Sequence, residues 1–359
     1  MAQSAQTISL ENSPPPARAK KSWRGKEWFG FLYLAPAMII LTVFHIIPVG
    51  YALWISMQFG TIRNFRLACA DADAIAKIPE SFGIFQNLLA CFDNYNRALQ
   101  APEFWDAMKT TIFYVLGTVP ITIIVGILVA YLLFQKIRGR GVYRTIYFMP
   151  HVISTVASAI VWAWVFDPRN GLANHFMQFL GLPIQQWLVE PDGVFKLLGE
   201  FFKLQVPEWA EGPSLALVSV MIFSFWQSLG FDVIIFLAGL TNINVELYEA
   251  GRIDGANGAQ LFRHITIPLL APTLFFVGVI SIIGSFQAFN HIFAMNRMVA
   301  QPLGGPLGAT RTVSVLMFNT LYAQQRAGYA TAIAVLLSIL ILALTLIQFK
   351  YLGRRGEGA

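Results

Sequence analysis

Apolar runs of helical length alternate with polar stretches along this chain, and the alternation predicts its elements. The first run extends from Trp28 to Met57, and five more cover about 110–134, 145–166, 213–240, 269–293 and 327–349. Each is long enough to cross a bilayer core, which takes about 20 apolar residues as a helix. The pattern therefore predicts an all-α integral membrane protein with six transmembrane helices. Pro36 and Pro48 fall inside the first run and should kink it. That run is too long for the apolar part of a signal peptide and has no small-residue cleavage site, so it reads as an uncleaved anchor.

The stretches between the runs divide by charge. Residues 1–27 carry Pro14, Pro15 and Pro16, then Arg18, Lys20, Lys21, Arg24 and Lys26, a composition that cannot bury a core and predicts a disordered basic tail. Lys136, Arg138, Arg140 and Arg144 crowd the link between the second and third runs. The stretches 1–27, 135–144, 245–268 and 350–359 hold five, four, two and three Lys and Arg. The longer stretches 58–108, 167–212 and 294–325 hold nine of the remaining eleven of the chain's 25, with Lys109 and Arg326 just past their ends. Positive charge marks the cytoplasmic side, so both termini, including the tail 351–359, are expected in the cytoplasm, and 58–108 is expected to be a periplasmic loop.

Composition agrees with this reading and excludes others. Hydrophobic residues make up 56% of the chain and charged residues only 12%, outside the soluble globular range. The net charge of +6 sits in short runs beside apolar segments and forms no stripe of the kind nucleic acid needs. Gly304, Gly305, Pro306 and Gly308 suggest a glycine-rich phosphate loop, but the Lys-Ser/Thr pair that must follow is missing. A turn-rich outer loop is expected there.

Residues 245–268, VELYEAGRIDGANGAQLFRHITIP, interrupt the apolar second half yet read as ordered helix. Asn244 is placed as an N-cap, with Glu246 and Glu249 in the first turns. The helix should stop near Gly255, where a residue without a Cβ takes the left-handed conformation. Asn257 then starts a second helix with Gln260 three residues on, a capping-box spacing, and Phe262 with Ile265 gives it an apolar stripe. A helix pair presenting Glu249, Arg252 and Asp254 between two spans suits docking on a soluble partner; an ordinary connecting loop is the plain alternative.

Glu249, Ala250, Asp254, Gly255, Ala256, Phe262, Ile265 and Pro268 match, in order and spacing, the EAA signature of the membrane subunits of binding-protein-dependent ABC importers. Gly251 departs from it, standing where that family usually has alanine, at a cost to the helix of roughly 0.5 to 1 kcal/mol. From Asn94 onward the chain also resembles the sugar-type permeases of the maltose and glycerol 3-phosphate kind, in FDNYNRAL, IRGRGVYRTIYFMP, WQSLGFDVIIFLAGL, GSFQAFN and YATAIAVLL. The resemblance implies a type I ABC importer permease fold in an inner membrane, with residues 245–268 as a coupling helix seated in a cleft of a separate ATPase. Glu249 would face a basic group there. It implies no cofactor on this chain, ATP and Mg being used by the ATPase. The implied partners are a second permease subunit, an ATPase dimer and an extracytoplasmic solute-binding protein.

Polar side chains inside the spans are the candidate substrate pathway, since such groups should face a pore or another helix. Ser224, Gln227, Ser228 and Phe231 recur at helical spacing in the fourth span, and Ser281, Ser285, Gln287 and Asn290 lie in the fifth. Neutral hydrogen-bonding groups beside aromatic rings suit an uncharged polyhydroxylated ligand better than an ion. By analogy with the maltose system, Ser224, Gln227, Phe231, Ser281 and Ser285 would touch the sugar. For each of them, helix-to-helix hydrogen bonding is the competing reading. Asp232 is the one acid within an expected span, and His151 lies near the start of the third. They would serve a proton-coupled secondary carrier, but one aspartate makes a poor relay and a structural role fits both better. No metal-ligand cluster, carboxylate pair or nucleophile with a base supports a membrane enzyme. Cys69 and Cys91 are the only cysteines and lie in one loop; a disulfide and two separate thiols both remain open, because spacing in sequence does not give distance in space. The expected role is a sugar-importing permease subunit, with glycerol 3-phosphate as the alternative substrate.

Overall fold

A computed structural model describes residues 27–60, 66–67, 69, 75–76, 90–135 and 138–350. The expected basic tail up to Lys26, Lys136, and the tail 351–359 lie outside the described residues. The chain divides into two units, Met1–Tyr51 and Ala52–Ala359.

The first unit carries α1 (Glu27–Leu41), a π turn (Thr42–Ile46) and the first half of α2 (Ile47–Ser56). Together they contain the candidate span Tyr33–Ser56. Pro36 is carried within α1. Pro48 has a visible consequence. It offers no N–H to the carbonyl four residues back, and the backbone widens just before it, so that the Ile47 N–H bonds to the Thr42 carbonyl. The same device recurs at Pro268, preceded by a π turn over Phe262–Thr266 in which the Ile267 N–H reaches the Phe262 carbonyl.

In the second unit the described residues of the expected outer loop 58–108 form short elements. A two-residue strand, β1 (Gln58–Phe59), pairs antiparallel with β2 (Arg66–Leu67). A disulfide joins Cys69 to Cys91 with their Cα atoms 4.5 Å apart. Helix α3 (Asp93–Gln100) follows, and the Asn94 amide donates to the carbonyls of Ser56 and Gln58, both at 2.9 Å. Arg97 pairs with Asp93 at 2.6 Å and lies over the Phe59 ring.

Span 2 is α4 (Pro102–Phe134), eight residues longer at its start than expected, with Pro102 in the first turn where its missing N–H costs nothing. Span 3 is not one straight helix. It comprises α5 (Arg140–Val152) and α6 (Thr155–Val165), bent by 97° where Ile153 and Ser154 are extended. Helices α7 (Leu172–Phe179) and α8 (Val194–Phe202) occupy the expected loop 167–212. Span 4 is α9 (Leu215–Thr241), capped by Ser214, whose hydroxyl accepts from Leu217 N at 3.1 Å.

The polar stretch forms α10 (Val245–Ile253), α11 (Gly258–Leu261), the π turn and α12 (Ile267–Leu269). Span 5 proper, α13 (Ala271–Phe286), is bent by 67° from the segment before it. It ends at Phe286, short of the expected 293, and α14 (Asn290–Met298) begins anew. The expected turn-rich loop 294–325 therefore contains the end of α14 and all of α15 (Val313–Tyr322), with Pro306–Gly308 as a single 3-10 turn between them. Span 6 is α16 (Ala327–Gln348). Among the described residues, four helices are long and apolar enough to cross a membrane, and up to six spans result if each bent pair counts as one.

Span 4 packs along span 2 and against α5. Its apolar residues enter two buried clusters. One gathers Phe223, Val220, Ile292, Met295 and Leu188; the other gathers Val233, Phe236, Leu240, Ile127, Leu261 and Leu270. A third joins spans 2, 5 and 6 through Phe104, Val115, Phe286 and Ile333.

Candidate functional site

Two features stand out in the second unit: the helix pair 245–268 and a polar cavity among spans 2 to 5. The helix pair is set by local hydrogen bonds. Asn244 Oδ1 accepts from Glu246 N at 3.1 Å and begins α10. At the other end, Gly255 N donates to Arg252 O at 3.1 Å and Ala256 N to Gly251 O at 2.9 Å, the paired bonds of a Schellman motif. Gly255 supplies the left-handed residue that this needs, with φ +82°. Asn257 and Gln260 then exchange two bonds, Gln260 N to Asn257 Oδ1 at 2.9 Å and Asn257 N to Gln260 Oε1 at 2.8 Å, a complete capping box.

This bend has a buried side and an open side. Tyr248 is buried, bonded through its hydroxyl to Thr266 at 3.0 Å, and its ring meets Phe134 at the end of span 2. Burial raises the Tyr248 phenol above its ordinary pKa, while the Thr266 bond works the other way. Phe262 packs on Tyr131 of the same span, with ring centroids 4.8 Å apart. Leu261 joins these to Leu240 of span 4 and Leu270 ahead of span 5. On the open side lie Glu249, Ala250, Arg252, Asp254 and Gly255, together with Ile253, which is 87% exposed. Glu249, Arg252 and Asp254 enter no ion pair among the described residues. Ile265 lines a shallow depression with Asp254, Gly255 and Ala256, and Pro268 is exposed beyond the π turn.

The cavity has a volume of roughly 410 Å³, within the range of small-molecule sites. Of the residues expected along a substrate pathway, Ser224, Gln227, Ser228, Phe231, Ser281 and Ser285 all line it. Gln287 and Asn290 do not. Span 5 stops at Phe286, so Gln287 becomes an exposed cap and Asn290 the exposed first residue of the next helix. His151 and Asp232 are brought to the same cavity.

Sequence reasoning missed the walls supplied by spans 2 and 3. Tyr114, Thr118 and Thr122 of span 2, Thr155 of α6 and His291 of α14 complete the lining. The first three were detectable as a polar stripe at helical spacing, the signal that singled out span 4. Thr155 arrives only through the bend in span 3, where its hydroxyl accepts from the Gln227 amide at 3.1 Å. Tyr114 donates to Ser224 at 2.7 Å, and the His291 Nε2 lies 3.0 Å from the Tyr114 hydroxyl and 3.1 Å from that of Ser224. Ser224 in turn donates to the Val220 carbonyl at 3.0 Å. With both hydroxyl protons so placed, Nε2 is the nitrogen that carries hydrogen. The His151 ring stacks on Phe231 with centroids 5.0 Å apart.

Two buried polar atoms of the lining have no partner, Thr118 Oγ1 and Asp232 Oδ2. Asp232 is only 2% exposed. A buried unpaired group typically costs about 1–3 kcal/mol, more when charged, so a ligand or water that satisfied these atoms would recover part of that cost. The described residues contain no group of three or more acids, histidines or cysteines placed to hold a metal.

Comparison with known proteins gives these features a setting. The trehalose/maltose transport system permease protein MalF of Thermococcus litoralis is 30% identical over 321 residues, covering 89% of this chain and 92% of the relative. The sn-glycerol-3-phosphate transport system permease protein UgpA of Pectobacterium atrosepticum is 25% identical over 329 residues, covering 92% and 95%. A chain in the crystal structure of a bacterial alginate ABC transporter, in complex with alginate pentasaccharide-bound periplasmic protein, shares the fold with a TM-score of 0.67 at 20% identity, covering 94% and 99%. Residues 122–357, which contain both the helix pair and most of the cavity, match the family described as binding-protein-dependent transport system inner membrane component, and the chain belongs to that family.

Proposed function

We propose that this chain is the permease subunit of a sugar-importing ABC transporter, forming half of the translocation pore with a second permease and coupling it to ATP hydrolysis in a separate ATPase dimer. ATP and Mg are used by that dimer, and a solute-binding protein delivers the sugar from outside. The observation that carries the reading is the open face of α10. It presents Glu249, Arg252, Asp254 and Ile253 outward, while its buried side is packed through Tyr248 and Leu261 onto the ends of spans 2 and 4. A rigid bend of this kind transmits a displacement of its docking face to the helices that wall the cavity. A proton-driven carrier built on Asp232 and His151 has no use for such a face.

The distribution of Lys and Arg supports an orientation with the helix pair and both termini in the cytoplasm of a bacterial or archaeal cell, where the ATPase works. In that orientation the disulfide-braced segment after span 1 faces the oxidising side, as a stable disulfide requires. The relatives' names, trehalose/maltose and sn-glycerol-3-phosphate, bracket the substrate class. The lining of hydroxyl and amide groups beside a stacked ring pair favours the sugar.

The test is reconstitution of the chain in liposomes with its co-expressed partner subunits and binding protein, followed by ATPase and uptake assays over a panel of sugars. One sugar should stimulate ATP hydrolysis, and Glu249→Lys should leave the protein inserted while abolishing that stimulation. Uptake without an ATPase subunit, driven by a proton gradient, overturns the reading.

A further inference from the structure

The charge pattern of the cavity bears on which solute passes, and we infer that Asp232 makes it selective for uncharged polyhydroxylated solutes against phosphorylated or uronate-bearing ones; this rests on the importer reading above. Among the described residues, eight hydroxyl side chains and one amide line the cavity, and no Lys or Arg does. Asp232 stands on its wall where span 4 meets span 2, its Cβ close to the position that a side chain at Gly126 would occupy. Its Oδ2 has no partner, and neither does Thr118 Oγ1 on the same wall.

A sugar hydroxyl is both donor and acceptor, so adjacent hydroxyls can exchange hydrogen bonds with the Asp232 carboxyl group and with the serine and threonine hydroxyls of the lining. A phosphate or uronate brings only more negative charge. Taken out of water, it needs ammonium or guanidinium partners or several donors. Of the two histidines here, His291 already spends Nε2 on Tyr114 and Ser224, and His151 is stacked on Phe231. The cavity thus offers an anion a carboxyl group and no fixed cation.

The experiment uses the assembled transporter in proteoliposomes with its binding protein. Probes are maltose, trehalose, lactose, glycerol 3-phosphate and an alginate oligosaccharide, and the affinity of each for the binding protein is measured separately. The expected result is stimulation of ATP hydrolysis and uptake by a neutral sugar and by neither anion, including any anion that the binding protein does bind. Asp232→Asn, which is isosteric, should lower uptake of that sugar by up to about tenfold, as expected for the loss of one hydrogen bond. Its thermal midpoint should be unchanged or raised, because a buried carboxyl oxygen without a partner gives way to an amide of the same shape. Thr118→Val should act in the same direction.

Transport of glycerol 3-phosphate or the alginate oligosaccharide by the wild type overturns the inference while leaving the importer reading intact. So does unchanged neutral-sugar uptake in Asp232→Asn, or a fall in uptake accompanied by a lowered midpoint in both variants, which assigns these residues to structure. If no solute stimulates ATP hydrolysis in the wild type, the importer reading fails, and the inference fails with it.

Discussion

Gly251 and Leu261 touch so closely that a Cβ on Gly251 would lie 2.7 Å from Leu261 Cδ2. In sequence, the glycine reads as a weak point in α10. In the folded chain it is where the first helix of the bend lets the second approach, and Leu261 is buried against the span ends because of it. Gly251→Ala should therefore be close to neutral, the gain in helix propensity of about 1 kcal/mol being offset by the displacement of one side-chain end. Gly251→Val should displace Leu261, lower the thermal midpoint of the purified transporter by an amount equivalent to about 1–3 kcal/mol, and weaken coupling of ATP hydrolysis to uptake.

Gly255 presents the opposite case, since the space a Cβ would enter is empty and only the backbone conformation is demanding. Gly255→Ala should cost about 1–2 kcal/mol, and Gly255→Asn should recover much of it because asparagine tolerates the left-handed region. Gly255→Pro cannot adopt a positive φ and loses the bond to Arg252 O. It should insert normally yet uncouple ATP hydrolysis from transport, which membrane fractionation and paired ATPase and uptake assays would detect.

Gly230 of span 4 lies against the backbone of span 3, and a Cβ there would fall 2.0 Å from the Tyr147 carbonyl oxygen. Backbone cannot rotate away as a side chain can. Gly230→Ala should push α5 off span 4 and destabilise the protein by about 1–3 kcal/mol or more. It should also open the cavity beside Phe231 and raise the KM for solute. A thermal midpoint equal to that of wild type contradicts this.

The disulfide between Cys69 and Cys91 closes a separation of 22 residues beside α3, whose Asn94 holds the end of span 1. On the chain-entropy account, reduction should cost about 3 kcal/mol. Thiol-specific labelling with and without reductant, followed by thermal unfolding, should show protected cysteines and a lower midpoint after reduction. The double variant Cys69→Ser, Cys91→Ser should match the reduced protein.

Features that depend on a few neighbouring residues could be read from the chain alone. Hydropathy located the apolar runs, and Asn244, Gly255, Asn257 and Gln260 announced a helix, a left-handed stop and a capping box that the fold contains. Caps and turns are settled by hydrogen bonds spanning three to five residues, so they can be read locally. The polar spacing of span 4 likewise pointed Ser224, Gln227 and Phe231 to one cavity. How that cavity closes depends on helix packing. The 97° bend that brings Thr155 to Gln227, the end of span 5 at Phe286 that leaves Gln287 outside, and the meeting of Tyr114, Ser224 and His291 from three elements depend on angles between helices far apart in the chain. Those angles are set by close approaches such as Gly230 to Tyr147, and no local pattern records which surfaces will meet.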